Sequence, residues 1–262
     1  MTRWQQSTSP ELAERLGADS VAVMALGAIE QHGPHLPLDT DTRIAEGLLG
    51  MAMTRVNPEL EVLALPTLSI GASDEHASFD GTLSLSPRCF ADTLESIGES
   101  VSRAGVQRLI FVNGHGGNRA SMDTAALALR RRLGLLVVKC SYPKLGMPDD
   151  VDGIDDLARG FHGGWLETAL MHHLAPDQVR SAALNDFAAR YIDARSDALV
   201  SPEGPAAFGW LAEDLNVSGV IGNAVSATAE DGDRLAAFFA ERIARVIEET
   251  AALQWPPAGQ AG

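Results

Sequence analysis

Two short segments concentrate the side chains that could do chemistry. In Gly27-Ala28-Ile29-Glu30-Gln31-His32-Gly33-Pro34-His35-Leu36-Pro37-Leu38-Asp39-Thr40-Asp41, carboxylates and imidazoles follow directly on the apolar run Val21–Leu26. In Asn113-Gly114-His115-Gly116-Gly117-Asn118, an imidazole sits in a glycine-rich turn behind a second apolar run, Leu109–Val112. Carboxylate and imidazole together form the ligand set of zinc, manganese or iron, and the residue types do not choose among these metals. Glu30 and His32 are two residues apart, so in an extended segment their side chains point the same way. A helix N-terminus would also explain Asp39, Thr40 and Asp41, which are good caps. A phosphate cradle would also explain the second turn. That turn has neither the Lys-Ser/Thr of a P-loop nor a G-x-G-x-x-G spacing, and its central imidazole suits a cation better. Asn118 stands where it could cap the next helix.

Two further segments add to the set. His162 lies in the glycine-rich Gly160-Phe161-His162-Gly163-Gly164, and Glu167 opens a short predicted helix over 168–174. Glu167 could equally be a favourable charge at a helix start. His172 and His173 are adjacent, hence on different helix faces, and read as packing or surface residues. The segment Gly71-Ala72-Ser73-Asp74-Glu75-His76 follows another apolar run and reads as a substrate-side loop, with Ser73 and His76 as its contact residues. No G-x-S-x-G elbow is present, and neither Cys89 nor Cys140 sits in a turn with a neighbouring base. Metal-activated water is therefore favoured over a covalent nucleophile.

Something must bring these segments together. Strands are predicted at Ser20–Leu26, Val62–Leu65, Leu109–Val112 and Leu135–Cys140, all without polar alternation, as in a sheet covered on both faces. Between and after them, Ile44, Leu48, Met51 and Val56, then Met122, Ala126, Leu129 and Leu133, then Leu235 to Ile247, form apolar helical stripes. Alternating strand and helix predicts a single-domain α/β fold: an open, mostly parallel sheet with helices on both faces. Such a sheet gathers its functional groups at the carboxyl ends of the strands. Residues 141–160 and 201–222, rich in Pro and Gly, read as loops, the first as a lid or an oligomer contact. Residues 255–262 read as a frayed tail.

The 262-residue chain, 45% hydrophobic, is long enough to bury a sizeable core. A net charge of −15 argues against nucleic acid or an anionic membrane as partner. Two cysteines make no disulfide framework. The first residues show no signal-peptide pattern and no apolar run is long enough to span a membrane, so the cytoplasm is the expected compartment.

Taken together, Gly27–Gly33 with Asp41, Asn113–Asn118, His162–Thr168, and Ser73–His76 followed by Phe79-Asp80-Gly81-Thr82 resemble the creatininase family of metal-dependent amidohydrolases. The resemblance runs from about Val21 to Val246. It implies a creatininase-like α/β fold, one or two divalent metal ions per chain, and hydrolysis of a non-peptide or small amide C–N bond, in a homo-oligomer such as a hexamer. By position, Glu30, His32, Asp41 and His115 match the family's metal ligands, with Asp41 in the bridging place, and His162 matches the histidine facing the substrate. The namesake enzyme, which opens the creatinine ring, has an aromatic and a metal-binding glutamate where this chain has Gly116 and Gly117. Glu167 is the expected replacement, as ligand and as catalytic carboxylate. The namesake also has a tryptophan where Pro143 follows Tyr142. Loss of that aromatic wall, with Gly116 and Gly117 widening the substrate side, predicts that creatinine is not the substrate. Members that trim a peptide precursor of a redox cofactor, members acting on formamides, and a non-catalytic metal or ligand binder remain alternatives.

Overall fold

The computed structural model describes residues 2–151, 153, 156, 160–187, 199–203 and 205–256. The segments expected to be a lid and a frayed tail therefore fall partly outside the described residues. Five strands form one parallel sheet: β1 (Thr2–Arg3), β2 (Val21–Leu26), β3 (Val62–Ala64), β4 (Arg108–Asn113) and β5 (Leu136–Ser141), in the order β1-β3-β2-β4-β5. All six residues of β2 and of β4 are buried, because both faces of the sheet are covered. Val21, Val23 and Ala25 point into one core with Ile110 and Val112. Ala22, Met24 and Leu26 point into the other, with Leu109 and Phe111.

The first core is closed by α2 (Thr40–Met53), α5 (Trp165–Leu174) and α7 (Ala229–Ala252), around the buried Trp165 and Phe239. The second is closed by α3 (Pro87–Arg103) and α4 (Arg119–Leu133). A short α1 (Ser9–Arg15) precedes β2. The remaining elements, β6 (Asp186–Phe187), β7 (Val200–Ser201), β8 (Ala206–Ala207), α6 (Ala212–Leu215) and β9 (Gly222–Asn223), belong to the segment before α7. Each fully buried Leu or Phe in these cores is worth about 1.5–3 kcal/mol over the exposed state. The open parallel sheet with helices on both faces is thus the predicted fold.

α3 is the one long element absent from the expected set. Its apolar face, Phe90, Ala91, Leu94 and Val101, is narrow, and the rest of the helix is rich in Ser, Asp and Glu. Its start signal is nonetheless local: Ser86 caps it by accepting from the Cys89 backbone N–H at 3.3 Å, and Pro87 opens the first turn.

The chain passes from β2 through α2 to β3 on one side, and then through α3 to β4 on the other. Strand order reverses across β2, so the carboxyl ends of β2 and β4 border a crevice where connections diverge. The first two chemical segments leave from those two strand ends. Among the described residues, no helix is long and apolar enough to cross a membrane.

Candidate metal centre

Leaving β2, the chain carries Glu30 and His32 into the crevice, both without exposed surface. The Glu30 backbone is fixed by its N–H donating to Leu38 O at 3.0 Å. His32 donates through Nδ1 to Glu30 O at 3.1 Å, which leaves its Nε2 lone pair facing inward. That nitrogen lies 3.3 Å from Asp41 Oδ1 and 3.7 Å from Glu167 Oε2.

Asp41 belongs to the first turn of α2 but does not cap it; its carboxylate is buried in the crevice. Asp39, at the cap position, makes no cap bond and pairs with Arg43 at 2.8 Å. The second Asp41 oxygen, Oδ2, lies 3.3 Å from His115 Nδ1, so this carboxylate stands between the two imidazoles. His115 turns its Nε2 to Ala72 O at 2.9 Å, with Glu30 Oε2 at 3.2 Å and Glu75 Oε1 at 3.3 Å around the same nitrogen.

These separations are long for charge-assisted hydrogen bonds, which run about 2.7–2.9 Å. The 3.3 Å contacts of Asp41 with His32 Nε2 and His115 Nδ1 match two donors sharing one cation, since with bonds of about 2.0–2.1 Å tetrahedral donors stand roughly 3.4 Å apart. His115 Nε2, by contrast, carries its proton to the Ala72 carbonyl. Both Glu30 oxygens, His32 Nε2 and Asp41 Oδ2 are buried with no hydrogen-bond partner. Leaving such groups unmatched costs several kcal/mol, so a buried cation fits what is present. Among the described residues, donor atoms converge within 4.8 Å in four overlapping groups: Glu30–His32–His162, Glu30–Asp41–His115, Glu30–Glu75–His76 and His32–Asp41–Glu167.

The electrostatics agree. Burial disfavours charge on His32, yet Asp41, Glu167 and Glu30 outweigh it and raise its pKa to about 10. Burial also opposes charge on His115, but Glu30 and Asp41 hold it well above the ordinary imidazole value. Burial pushes Glu167 up to about 7, with Asp41 adding to the rise. The carboxylates thus favour positive charge at both imidazoles, which a cation among them would supply.

His162 behaves differently. Its Nε2 donates to Gln31 O at 2.7 Å, and Nδ1 faces Glu30 Oε1 at 3.6 Å. Burial, with His76 and His32 adding to it, holds it well below the ordinary imidazole value. The bond to Gln31 O places its proton on Nε2 and leaves the Nδ1 lone pair turned to the cluster. Glu167 accepts from the Gly163 backbone N–H at 2.6 Å through Oε2, the same oxygen that faces His32.

Three expectations change. Ser73 does not face the substrate side: it is buried, with Oγ 3.3 Å from His115 Nε2, behind the cluster. Gly117 does not widen the mouth, because a Cβ there would meet Ala72 O at 2.3 Å and both Glu75 Oε1 and His115 Nε2 at 2.5 Å. Gly116 has open space around it. Asn118 makes no cap bond with its side chain; it accepts from Ala72 N at 2.9 Å and donates to Gly27 O and Asn113 Oδ1 at 3.0 Å each, tying three strand-end loops together.

The cluster opens on a cavity of about 460 Å³ lined by Asp41, Glu75, His76, His115, His162 and Glu167. Phe161 and Trp210 form an aromatic wall, with ring centroids 5.3 Å apart, and Lys144 lies at the same cavity. Pro143 lines the same cavity without adding to that wall. Trp210 comes from a segment read only as a loop, and no periodic signal marks it. Glu75 sat in a noted motif, but only the fold turns it toward His115.

The family model described as creatinine amidohydrolase matches residues 5–247 of the chain. A mycofactocin precursor peptide peptidase of Mycobacterium tuberculosis (strain ATCC 25618 / H37Rv) is 33% identical over 247 residues, 92% of this chain and 86% of that protein. The creatinine amidohydrolase of Pseudomonas putida is 32% identical over 191 residues, 66% of this chain and 71% of that protein. A solved structure titled "Creatininase Mn" superposes with a TM-score of 0.74 at 26% identity, covering 98% of this chain and 99% of that one. With its parallel sheet, its buried carboxylate–imidazole cluster and a family model matched almost end to end, the chain belongs to the creatininase family of hydrolases.

Proposed function

We propose that the protein hydrolyses an amide C–N bond in a short peptide with the help of a bound divalent metal. The observation that carries this is the set of unpartnered buried donors on Glu30, His32 and Asp41, at the floor of a cavity of about 460 Å³. Glu30, His32, Asp41 and His115 would hold the cation, with Glu167 beside His32 and Asp41 completing the set. When bound, such an ion supplies Lewis acidity and brings the pKa of water from 15.7 to about 7. The chain's own residues do the rest. His162 offers Nδ1 to the proton of the attacking water and returns it to the leaving nitrogen. Glu167, fixed by the Gly163 backbone N–H at 2.6 Å, holds its carboxylate beside His32 and Asp41. Phe161 and Trp210 offer a flat apolar surface to the part of the substrate beyond the scissile bond.

A peptide is favoured over a creatinine-sized ring for two reasons. The cavity lies within the range that encloses drug-sized ligands, and the peptidases of mycofactocin precursors match nine tenths of the chain. The test is a hydrolysis screen of metal-loaded protein against short peptides, formamides and creatinine. Peptide cleavage abolished by chelation, with creatinine kcat/KM below about 10⁴ M⁻¹s⁻¹, is the expected result. Efficient creatinine turnover with every peptide untouched would overturn it.

A further inference from the structure

Gln31 lies between two of the cluster's donors in sequence but offers no ligand atom. Its amide is held in one orientation. Oε1 accepts from the Gly33 backbone N–H at 2.9 Å, and Nε2 donates to Gly219 O at 2.8 Å. The reverse orientation would set N–H against N–H and oxygen against oxygen. Gly219 has a φ of +76°, and a Cβ there would come within 2.4 Å of Cδ, Oε1 and Nε2 of Gln31, so the bare glycine is the cradle of this amide.

The remaining Nε2 hydrogen of Gln31 points at His76 Nδ1, 2.9 Å away. His76 therefore accepts at Nδ1 and, as a neutral ring, bears its proton on Nε2, 3.4 Å from Glu30 Oε1. That removes His76 from the ligand set despite its place in the Glu30–Glu75–His76 group. The backbone oxygen of the same Gln31 receives the Nε2–H of His162 at 2.7 Å. A carbonyl can only accept, so that contact fixes the His162 proton on Nε2 and leaves Nδ1 as a lone pair 3.6 Å from the same Glu30 oxygen. The 3.1 Å approach of Gln31 Nε2 to His162 Nε2 is then a contact between two donors, not a bond. The two rings stack with centroids 4.2 Å apart at 29°. One glutamine thus turns two stacked imidazoles in opposite senses toward one carboxylate.

We propose that Gln31 is a positioning residue that sorts these rings, making His76 the hydrogen-bond donor to the substrate's carbonyl oxygen and His162 the proton acceptor for the attacking water. The proposal deepens the amide-hydrolysis reading and rests on it. As the water oxygen bonds to the carbonyl carbon, its proton passes to His162 Nδ1. As the C–N bond breaks, that proton goes to the leaving nitrogen, and His76 keeps its own proton throughout. The products are a carboxylic acid and an amine, and the balance closes with water alone.

Nitrogen NMR of ¹⁵N-histidine-labelled, zinc-loaded protein tests the sorting without any substrate. His76 is expected to carry its proton on Nε2 with a hydrogen-bonded, unprotonated Nδ1. In Gln31→Glu the carboxylate can only accept, so the proton should move to Nδ1. In peptide hydrolysis the same variant should lose about 10²-fold in kcat, the usual cost of one oxyanion donor, with KM and zinc content near wild type. His76→Gln, which keeps an N–H, should retain at least tenfold more kcat than His76→Leu, and Gln31→Glu should cost nothing further in the His76→Leu background. The proposal is overturned by a wild-type His76 protonated on Nδ1 or bound to zinc through Nε2, by an unchanged kcat in Gln31→Glu, or by equal activity of the two His76 variants. Should Gln31→Glu fail to fold, the wild-type spectrum and the His76 pair still decide. A wild type that cleaves no amide yet shows the expected protonation pattern would sink the amide-hydrolysis reading and leave the sorting standing.

Discussion

The cluster has two corners that meet at Asp41, one carried by helices and the other by loops. His32, Asp41 and Glu167 form the first: Asp41 and Glu167 each sit in the first turn of a helix, α2 and α5, whose backbones are locked by their own hydrogen bonds and packed into one core. Glu30, His115, Glu75 and His76 form the second, on loops after β2, β4 and β3. Those loops are held by single backbone bonds, such as Glu30 N–H to Leu38 O, and by the short helical turn Asp74–His76. They rely on side chains such as Asn118, which binds Ala72 N, Gly27 O and Asn113 Oδ1. A helical corner places its donors by packing, whereas a loop corner places them by a few specific bonds and should be the easier to loosen.

The largest effect is expected where the corners meet. Asp41→Ala removes the carboxylate between His32 and His115 and should weaken metal binding by more than about 100-fold, the upper end seen when only a ligand's supporting partner is lost. His162→Ala should lose far less metal, because His162 is proposed to move a proton. Elemental analysis of dialysed protein reads both, and equal losses would show that Asp41 is no more a ligand than His162.

The next test separates the corners. Glu167→Gln should weaken metal binding by about 10- to 100-fold. Glu75→Gln should act on the loop corner instead, by about tenfold or less, because its side chain is 20% exposed and water can partly replace it. Calorimetric titration with zinc reads both losses, and Glu75→Gln weakening the metal as much as Glu167→Gln would erase the distinction between the corners.

The same contrast explains what the sequence made legible. The strands β2 and β4, the helices α2, α4 and α7, and the meeting of Glu30, His32, Asp41 and His115 follow from apolar periodicity and from the rule that an open parallel sheet gathers its strand ends. Glu167 was visible because a glycine-rich turn followed by a helix start announces itself locally. Glu75, Gln31 and Trp210 were not. Their roles depend on loops after different strands coming within hydrogen-bonding or stacking reach, and no spacing in the chain encodes that. Ser73 and Gly117 show the converse: both lie in prominent motifs, yet packing behind His115 puts one out of reach of substrate and fills the space beside the other with Glu75.

The smallest expected effect concerns the strap between the corners. His35 leaves the loop that follows His32, and its Nε2 donates to Gly163 O at 2.9 Å, beside the turn that carries His162. Burial, with His32 and His172 adding to it, pushes its pKa down to about 4, against an ordinary value of 6.5. The folded protein therefore keeps this ring neutral while the unfolded chain binds a proton. Stability should be unaffected by His35 above about pH 6.5 and should fall as the pH drops from there toward 4, where the folded ring also titrates. Many carboxylates titrate in the same range, so the comparison is with His35→Gln, which can keep an N–H on Gly163 O but has no proton to gain. Above pH 7 the wild type should be the more stable, because His35 also stacks on Phe187 at 5.4 Å. That advantage, a few degrees in Tm, should shrink steadily as the pH falls to 4. A difference in Tm that stays constant across this window would mean that His35 gains its proton as readily in the fold as in the unfolded chain, and that the strap between the two corners opens to water.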